Sequence, residues 1–118
     1  MPNPPDLLML RDKLRAFAAE RDWDQFHSPK NLSMALMVEV AELMEHFQWL
    51  TEAQSASLSA ENKQAVSEEL ADILLYLVRL SDKLSIDLLG AALRKLEKNV
   101  AKYPAEQVRG SAKKYSDY

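Results

Sequence analysis

Cysteine is absent from the 118-residue chain, which excludes disulfides, thiolate zinc sites and a cysteine nucleophile. Glycine and proline are scarce, at 2 and 5 residues, so a loop-rich or turn-punctuated architecture is not expected and long helices are. Long apolar runs are missing as well. The longest one near the carboxylate-rich middle is Ile73 to Val78, far short of the roughly 18 residues a membrane helix needs, so no membrane partner is expected. Positive charge is not in excess either, with 15 Lys and Arg against 18 Asp and Glu and a net charge of −3. Polyanion binding by counterion release needs a basic surface, and neither DNA nor RNA is expected as a partner. The first basic residue, Arg11, follows Pro2, Pro4, Pro5 and Asp6. The charged start of a secretory signal is therefore missing, and the expectation is a cytoplasmic protein.

What is present is a composition of 47% apolar and 28% charged residues, that of a soluble globular protein. At this length one domain over residues 1–118 is expected, with a C-terminal tail over about 105–118. Leu7, Leu10, Leu14, Phe17 and Ala18 recur at three- and four-residue spacing and predict a first helix from Pro4 or Asp6 to Arg21. Ser28 and Pro29 suit the cap and first position of a second helix reaching about Leu50. Thr51 to Ala60 is a connection with room for one helical turn, and a third helix runs from Glu61 to Leu84. Ser85 or Asp87 caps a fourth, which stops at Tyr103 before Pro104 because a residue preceding proline is driven out of the α region. No run alternates like a strand, so the class is all-α, a four-helix bundle-like fold.

The third helix is apolar on nearly every side, with Leu70, Ile73, Leu74, Leu75, Leu77, Val78 and Leu80. A helix of that kind is buried all round. Four helices in so short a chain leave one side of it uncovered, which predicts a homo-oligomer, a dimer or tetramer.

Glu39 and Glu42 stand three residues apart on the second helix, and Glu69 and Asp72 repeat the spacing on the third. Each pair shares a helix face, with Cβ atoms roughly 5 to 6 Å apart. An uncompensated carboxylate in an apolar stretch costs several kcal/mol, so a cation is expected between the pairs. Helices packed about 8 to 10 Å apart let carboxylates from both sides close on one ion. Four hard oxygen donors select Mg2+, with Mn2+ a substitute, over zinc or copper. Magnesium binds through carboxylates together with phosphates, which predicts a phosphorylated ligand. Di-iron chemistry would want a Glu-x-x-His on each of two helices, and the chain has none. A solvated acidic face, or a structural cation site in a non-catalytic interaction module, is the rival reading.

The combination Glu39-x-x-Glu42, a spacer and Glu69-x-x-Asp72 resembles the MazG-like all-α nucleoside triphosphate pyrophosphohydrolases. The segment Ala18 to His27, Phe47-Gln48-Trp49, Lys102-Tyr103-Pro104 and the ending Gly110 to Tyr115 are similar to the dCTP pyrophosphatase branch. The resemblance implies Mg2+-dependent cleavage of a nucleoside triphosphate to monophosphate and pyrophosphate in nucleotide-pool sanitation. dCTP or a modified dCTP is the first expected substrate, and a broad house-cleaning specificity the alternative. It implies that Glu39, Glu42, Glu69 and Asp72 bind the metal and that one glutamate among them activates water.

By the same resemblance Trp23 and Trp49 line a base pocket, Gln25, Phe26 and His27 belong to the base and sugar region, and Lys95, Asn99 and Tyr103 meet the triphosphate. Tyr76 follows Asp72 by four positions and Glu69 by seven, so it should point toward the carboxylates. Arg79 follows the same stripe as either an internal ion-pair partner or a phosphate ligand. The tail, with Arg109, Lys113, Lys114, Tyr115 and Tyr118, resembles one that folds toward a neighbouring subunit. Two positions depart from the pattern: Leu14 stands where dCTP-selective members carry histidine, and Asp24 where glutamate is familiar.

Overall fold

The computed structural model describes residues 4–112; the expectations for Lys113, Lys114, Tyr115 and Tyr118 lie outside them. Among the described residues every regular element is helical and none is a strand. Helix α1 spans Leu7–Glu20, because the Asp6 side chain accepts from the Met9 amide at 2.8 Å and caps it. It ends at Arg21, and Asp22 then takes a left-handed backbone (φ 54°), a conformation aspartate tolerates better than most residues. A single 3₁₀ turn, Asp24–Phe26, leads into the next helix.

Helix α2 spans Pro29–Glu45, with Ser28 accepting from the Asn31 amide at 3.1 Å and Pro29 in the first turn. It stops five residues before the Leu50 expected from sequence. There the amides of His46 and Phe47 bond to Leu43 and Met44 three residues back, so the last turn tightens. Thr51 then opens a new helix with a capping box, its hydroxyl on the Gln54 amide and the Gln54 side chain on the Thr51 amide. That helix, α3, is one turn long, Glu52–Ser55.

Helix α4 spans Ala60–Lys83, capped by Ser59 and closed by Leu84 and a left-handed Ser85 (φ 55°). Helix α5 spans Leu88–Lys102, capped by Asp87 on the Gly90 amide at 3.1 Å. The segment expected to be a plain tail holds one further turn, α6, Ala105–Val108, started by Pro104. The sequence expectation of four long helices therefore holds, with the turn allowed for in residues 51–60 present as α3 and two further short turns, Asp24–Phe26 and α6.

The chain divides into two compact units, one ending at Ile86 and one beginning at Asp87. Within the first, α4 is the shared element: α2 and α1 both pack against it. Ala18, Leu32, Val66 and Val78, from α1, α2 and α4, are the buried apolar residues, and Arg79 is buried beside them. Arg15 of α1 grips Asp82 of α4 with two parallel bonds, which adds a directional tie to the apolar contact. Helix α4 is not covered on all sides within the chain, since Leu70 is 52% and Leu74 40% exposed. In the second unit Leu89, Leu93, Leu96 and Val100 form an exposed stripe along α5. No helix among the described residues is long and apolar enough to cross a membrane.

Candidate functional site

The packing of α2 on α4 brings the two acidic motifs together. Glu39, Glu69 and Asp72 each offer a carboxylate oxygen within 4.8 Å of the other two. Glu42 is outside that grouping but close enough to Glu39 to disfavour its ionisation, both by charge and by hydrogen bonding. Burial first, then the hydrogen bond with Glu69 and the charges of Glu42 and Asp72, pushes the Glu39 carboxyl from its ordinary 4.5 up to about 7. One oxygen of Glu39 and one of Glu69 (both Oε2) are buried without any hydrogen-bond partner. Buried acceptors are ordinarily satisfied, and two orphaned oxygens on converging carboxylates have the chemistry of a hard-cation site. The donor set, oxygen only, fits Mg2+ or Mn2+.

Beside the carboxylates lies a cavity of about 220 Å³, with Asp72 on its wall. Tyr76, Leu75 and Arg79 of α4, Leu14, Phe17 and Ala18 of α1, Leu32 of α2, and Trp23 and His27 from the connecting loop complete it. Drug-sized ligands occupy roughly 300 to 1,000 Å³, so this space suits a single flat ring better than a whole nucleotide. Trp23 meets Phe17 edge to face, with centroids 5.6 Å apart and planes at 74°, and the Arg21 guanidinium covers the Phe17 ring at 3.8 Å. The Tyr76 hydroxyl is pushed up by burial and then by the charges of Glu39 and Asp72. That places it toward the carboxylates, as the spacing on its helix predicts.

An ion-pair network fastens the loop carrying Trp23 and His27 to α4. Asp24 receives Arg79 and Lys83, and Arg79 also bonds His27 Nδ1 at 3.1 Å. The Lys83 bond, opposed by desolvation and helped by the charge of Lys83 and then by the bond and charge of Arg79, holds the Asp24 carboxyl below its ordinary range. Of the two roles open to Arg79 in the sequence, the structure displays the ion-pair partner.

The other residues singled out in the sequence fall elsewhere. Gln25 bonds back to Asp22, and Phe26 is 59% exposed; neither lines the cavity. Trp49, in the tight turns after α2, is 86% exposed and lies off this cavity. Lys95 and Asn99 lie on α5 and Tyr103 is its C-terminal cap, all within the second unit. Phe17, Ala18 and Leu75 are cavity residues that the sequence placed in apolar stripes, and Leu32 is one that it did not single out. Nothing in helical spacing separates an apolar residue facing a cavity from one facing the core. Leu14, a member of the α1 stripe and a departure from the family pattern, stands on the cavity wall.

Residues 34–118 match the MazG-like family. The chain is 45% identical to dCTP pyrophosphatase 1 of Rattus norvegicus, over 96% of this chain and 68% of the relative. Identity to the Bos taurus protein of the same name is 46%, over 98% and 69%, and to the Homo sapiens protein 44%, over 96% and 68%. Among solved structures it resembles a pyrophosphatase from Archaeoglobus fulgidus, with a TM-score of 0.80 and 40% identity, covering 88% of this chain and 97% of that one.

Proposed function

Because this chain belongs to the MazG-like family, we infer that it is a nucleoside triphosphate pyrophosphatase, and we propose that it hydrolyses dCTP or a modified dCTP to the monophosphate and pyrophosphate with Mg2+. The observation that carries the reading is the convergence of Glu39, Glu69 and Asp72, with two buried oxygens lacking partners, beside a cavity of single-ring size. The relatives named dCTP pyrophosphatase 1 support the substrate class.

Glu39, Glu69 and Asp72 would hold the cation, with Glu42 beside them. When bound, the ion supplies positive charge that stabilises phosphoryl oxygens as negative charge builds on them. The protein's own residues do the rest. Trp23 and Phe17 offer aromatic surface to a base, and Tyr76 offers a hydroxyl between the base cavity and the carboxylates. A base seated there places the triphosphate on the acidic side, where water is activated by a glutamate of the cluster. By the resemblance, Lys95, Asn99 and Tyr103 are read as triphosphate residues and residues 1–118 as one domain. Trp49, Gln25 and Phe26 are assigned to the base and sugar region of the assembled enzyme. The exposed apolar residues of α4 and α5 support a homo-oligomer. The setting is nucleotide-pool sanitation in the cytoplasm.

One observation favours a second reading, a broad house-cleaning specificity. Leu14 gives the cavity wall an apolar side chain where a polar one would read a base edge. A panel of canonical and modified triphosphates with Mg2+ separates the two. The first reading expects kcat/KM for dCTP or a modified dCTP at least about tenfold above the others, one hydrogen bond's worth of discrimination. Near-equal values across the panel establish the second. In either case Glu69→Gln should lower turnover by roughly a hundredfold or more while the helical circular dichroism stays unchanged. Full activity of that variant would remove the carboxylate site from the reaction.

A further inference from the structure

Arg79 is buried in the cavity wall, only 6% exposed, and the mechanism above gives it no task. Its Nε donates to His27 Nδ1 at 3.1 Å, its Nη2 bonds Asp24, and its Nη1 lies 3.7 Å from Asp82. A guanidinium has five donors and no acceptor. His27 Nδ1 must therefore accept, and a ring nitrogen that accepts carries no proton. The neutral ring then has its proton on Nε2. The surroundings keep the ring neutral: burial first, then the positive charges of Arg79 and Lys83, lower its pKa, against the opposing charge of Asp24. His27 lines the cavity.

We propose that Arg79 is a positioning residue for base recognition: it locks His27 in the Nε2–H form and so gives the cavity a hydrogen-bond donor that selects a pyrimidine presenting a ring carbonyl or an unprotonated ring nitrogen. This rests on reading the cavity as the base subsite. A space of about 220 Å³ has room for one base, and the preference for a pyrimidine follows from the proposed substrate. Without Arg79 the two tautomers of His27 compete, and the form with its proton on Nδ1 turns an acceptor toward the base's own acceptors. Discrimination then falls because a buried polar pair is left mismatched.

The test is nitrogen NMR of the full-length protein with ring-labelled histidine, without metal or nucleotide, together with steady-state kinetics. The chain has 2 histidines, His27 and His46, so the signals that vanish in His27→Gln belong to His27. In the native protein His27 Nδ1 should resonate as an unprotonated nitrogen and Nε2 as a protonated one; in Arg79→Gln the two should move toward a tautomer average. KM for dCTP should rise about tenfold in Arg79→Gln with kcat within about twofold, the effect of one hydrogen bond. In a His27→Gln background the same change should add nothing, because Arg79 acts through His27. If Arg79→Gln does not fold, Arg79→Met keeps much of the length without any donor and should show the same averaging.

A proton on Nδ1 in the native protein overturns the proposal. So does a tautomer that survives in the folded variants, or fully additive KM effects in the double variant. Titration with dCMP separates this inference from the activity assignment. A shift at His27 Nε2 supports base recognition even if no triphosphate is hydrolysed, and saturation without that shift overturns it.

Discussion

At the scale of single residues, Glu39 is the most perturbed group, and its perturbation makes a pH prediction. Its carboxyl titrates near 7 in the folded, metal-free protein against an ordinary 4.5. The folded state therefore holds a proton that the unfolded chain gives up earlier. By linkage, this stabilisation is complete below about 4.5 and lost as pH rises through about 7. Chelator-treated protein should lose thermal stability across that window, and Mg2+ should restore it most at the alkaline end. Glu39→Gln should flatten the Glu39 contribution to the pH dependence and abolish most of the Mg2+ gain; thermal melts at several pH values with and without the ion check both.

Much of this residue-level chemistry was legible in the sequence. Paired carboxylates at helical spacing and the i+4 position of Tyr76 are consequences of helix geometry alone. The pairing of Arg79 with His27 was not, because 52 residues separate them and no local rule joins a loop to a helix across that distance.

At the scale of elements, caps decide where helices begin, and the clearest miss in the sequence reading was a cap. The apolar pattern continues through Phe47, Trp49 and Leu50, which extends the expected helix to Leu50. Thr51 and Gln54 form a reciprocal capping box that starts a new turn instead, and the chain leaves α2 at Glu45. Thr51→Ala removes the hydroxyl acceptor from the Gln54 amide and should cost about 1 kcal/mol in denaturant unfolding. The cost should be small in activity, since Thr51 lines no part of the cavity. A change below a few tenths would show that the box does not define the turn. Ser28 and Asp87 were easier to find, because each precedes a new run of helical periodicity, whereas the Ser59 cap was not singled out.

At the scale of the whole molecule, the unusual property is the amount of apolar surface left uncovered. Leu70 and Leu74 on α4 and Leu89, Leu93, Leu96 and Val100 on α5 are exposed in one chain. Monomeric soluble proteins seldom leave such faces open to water. The sequence announced the surplus through an all-round apolar helix, although it could not say which residues remain outside. Sedimentation equilibrium should give a mass of two or four chains. Leu93→Glu, which puts a charge in the α5 stripe, should weaken assembly at low micromolar concentration, whereas Lys98→Glu on the same helix should not. A native protein that sediments as one chain would contradict the oligomer.

Which phosphoanhydride bond is cleaved defines the reaction, and identifying the products decides it. The protein is incubated with dCTP and Mg2+, and the phosphorus-containing products are separated and identified. dCMP and pyrophosphate should form in equal amounts, with both lost on adding a chelator. dCDP and inorganic phosphate, or turnover that persists without a divalent ion, would contradict it.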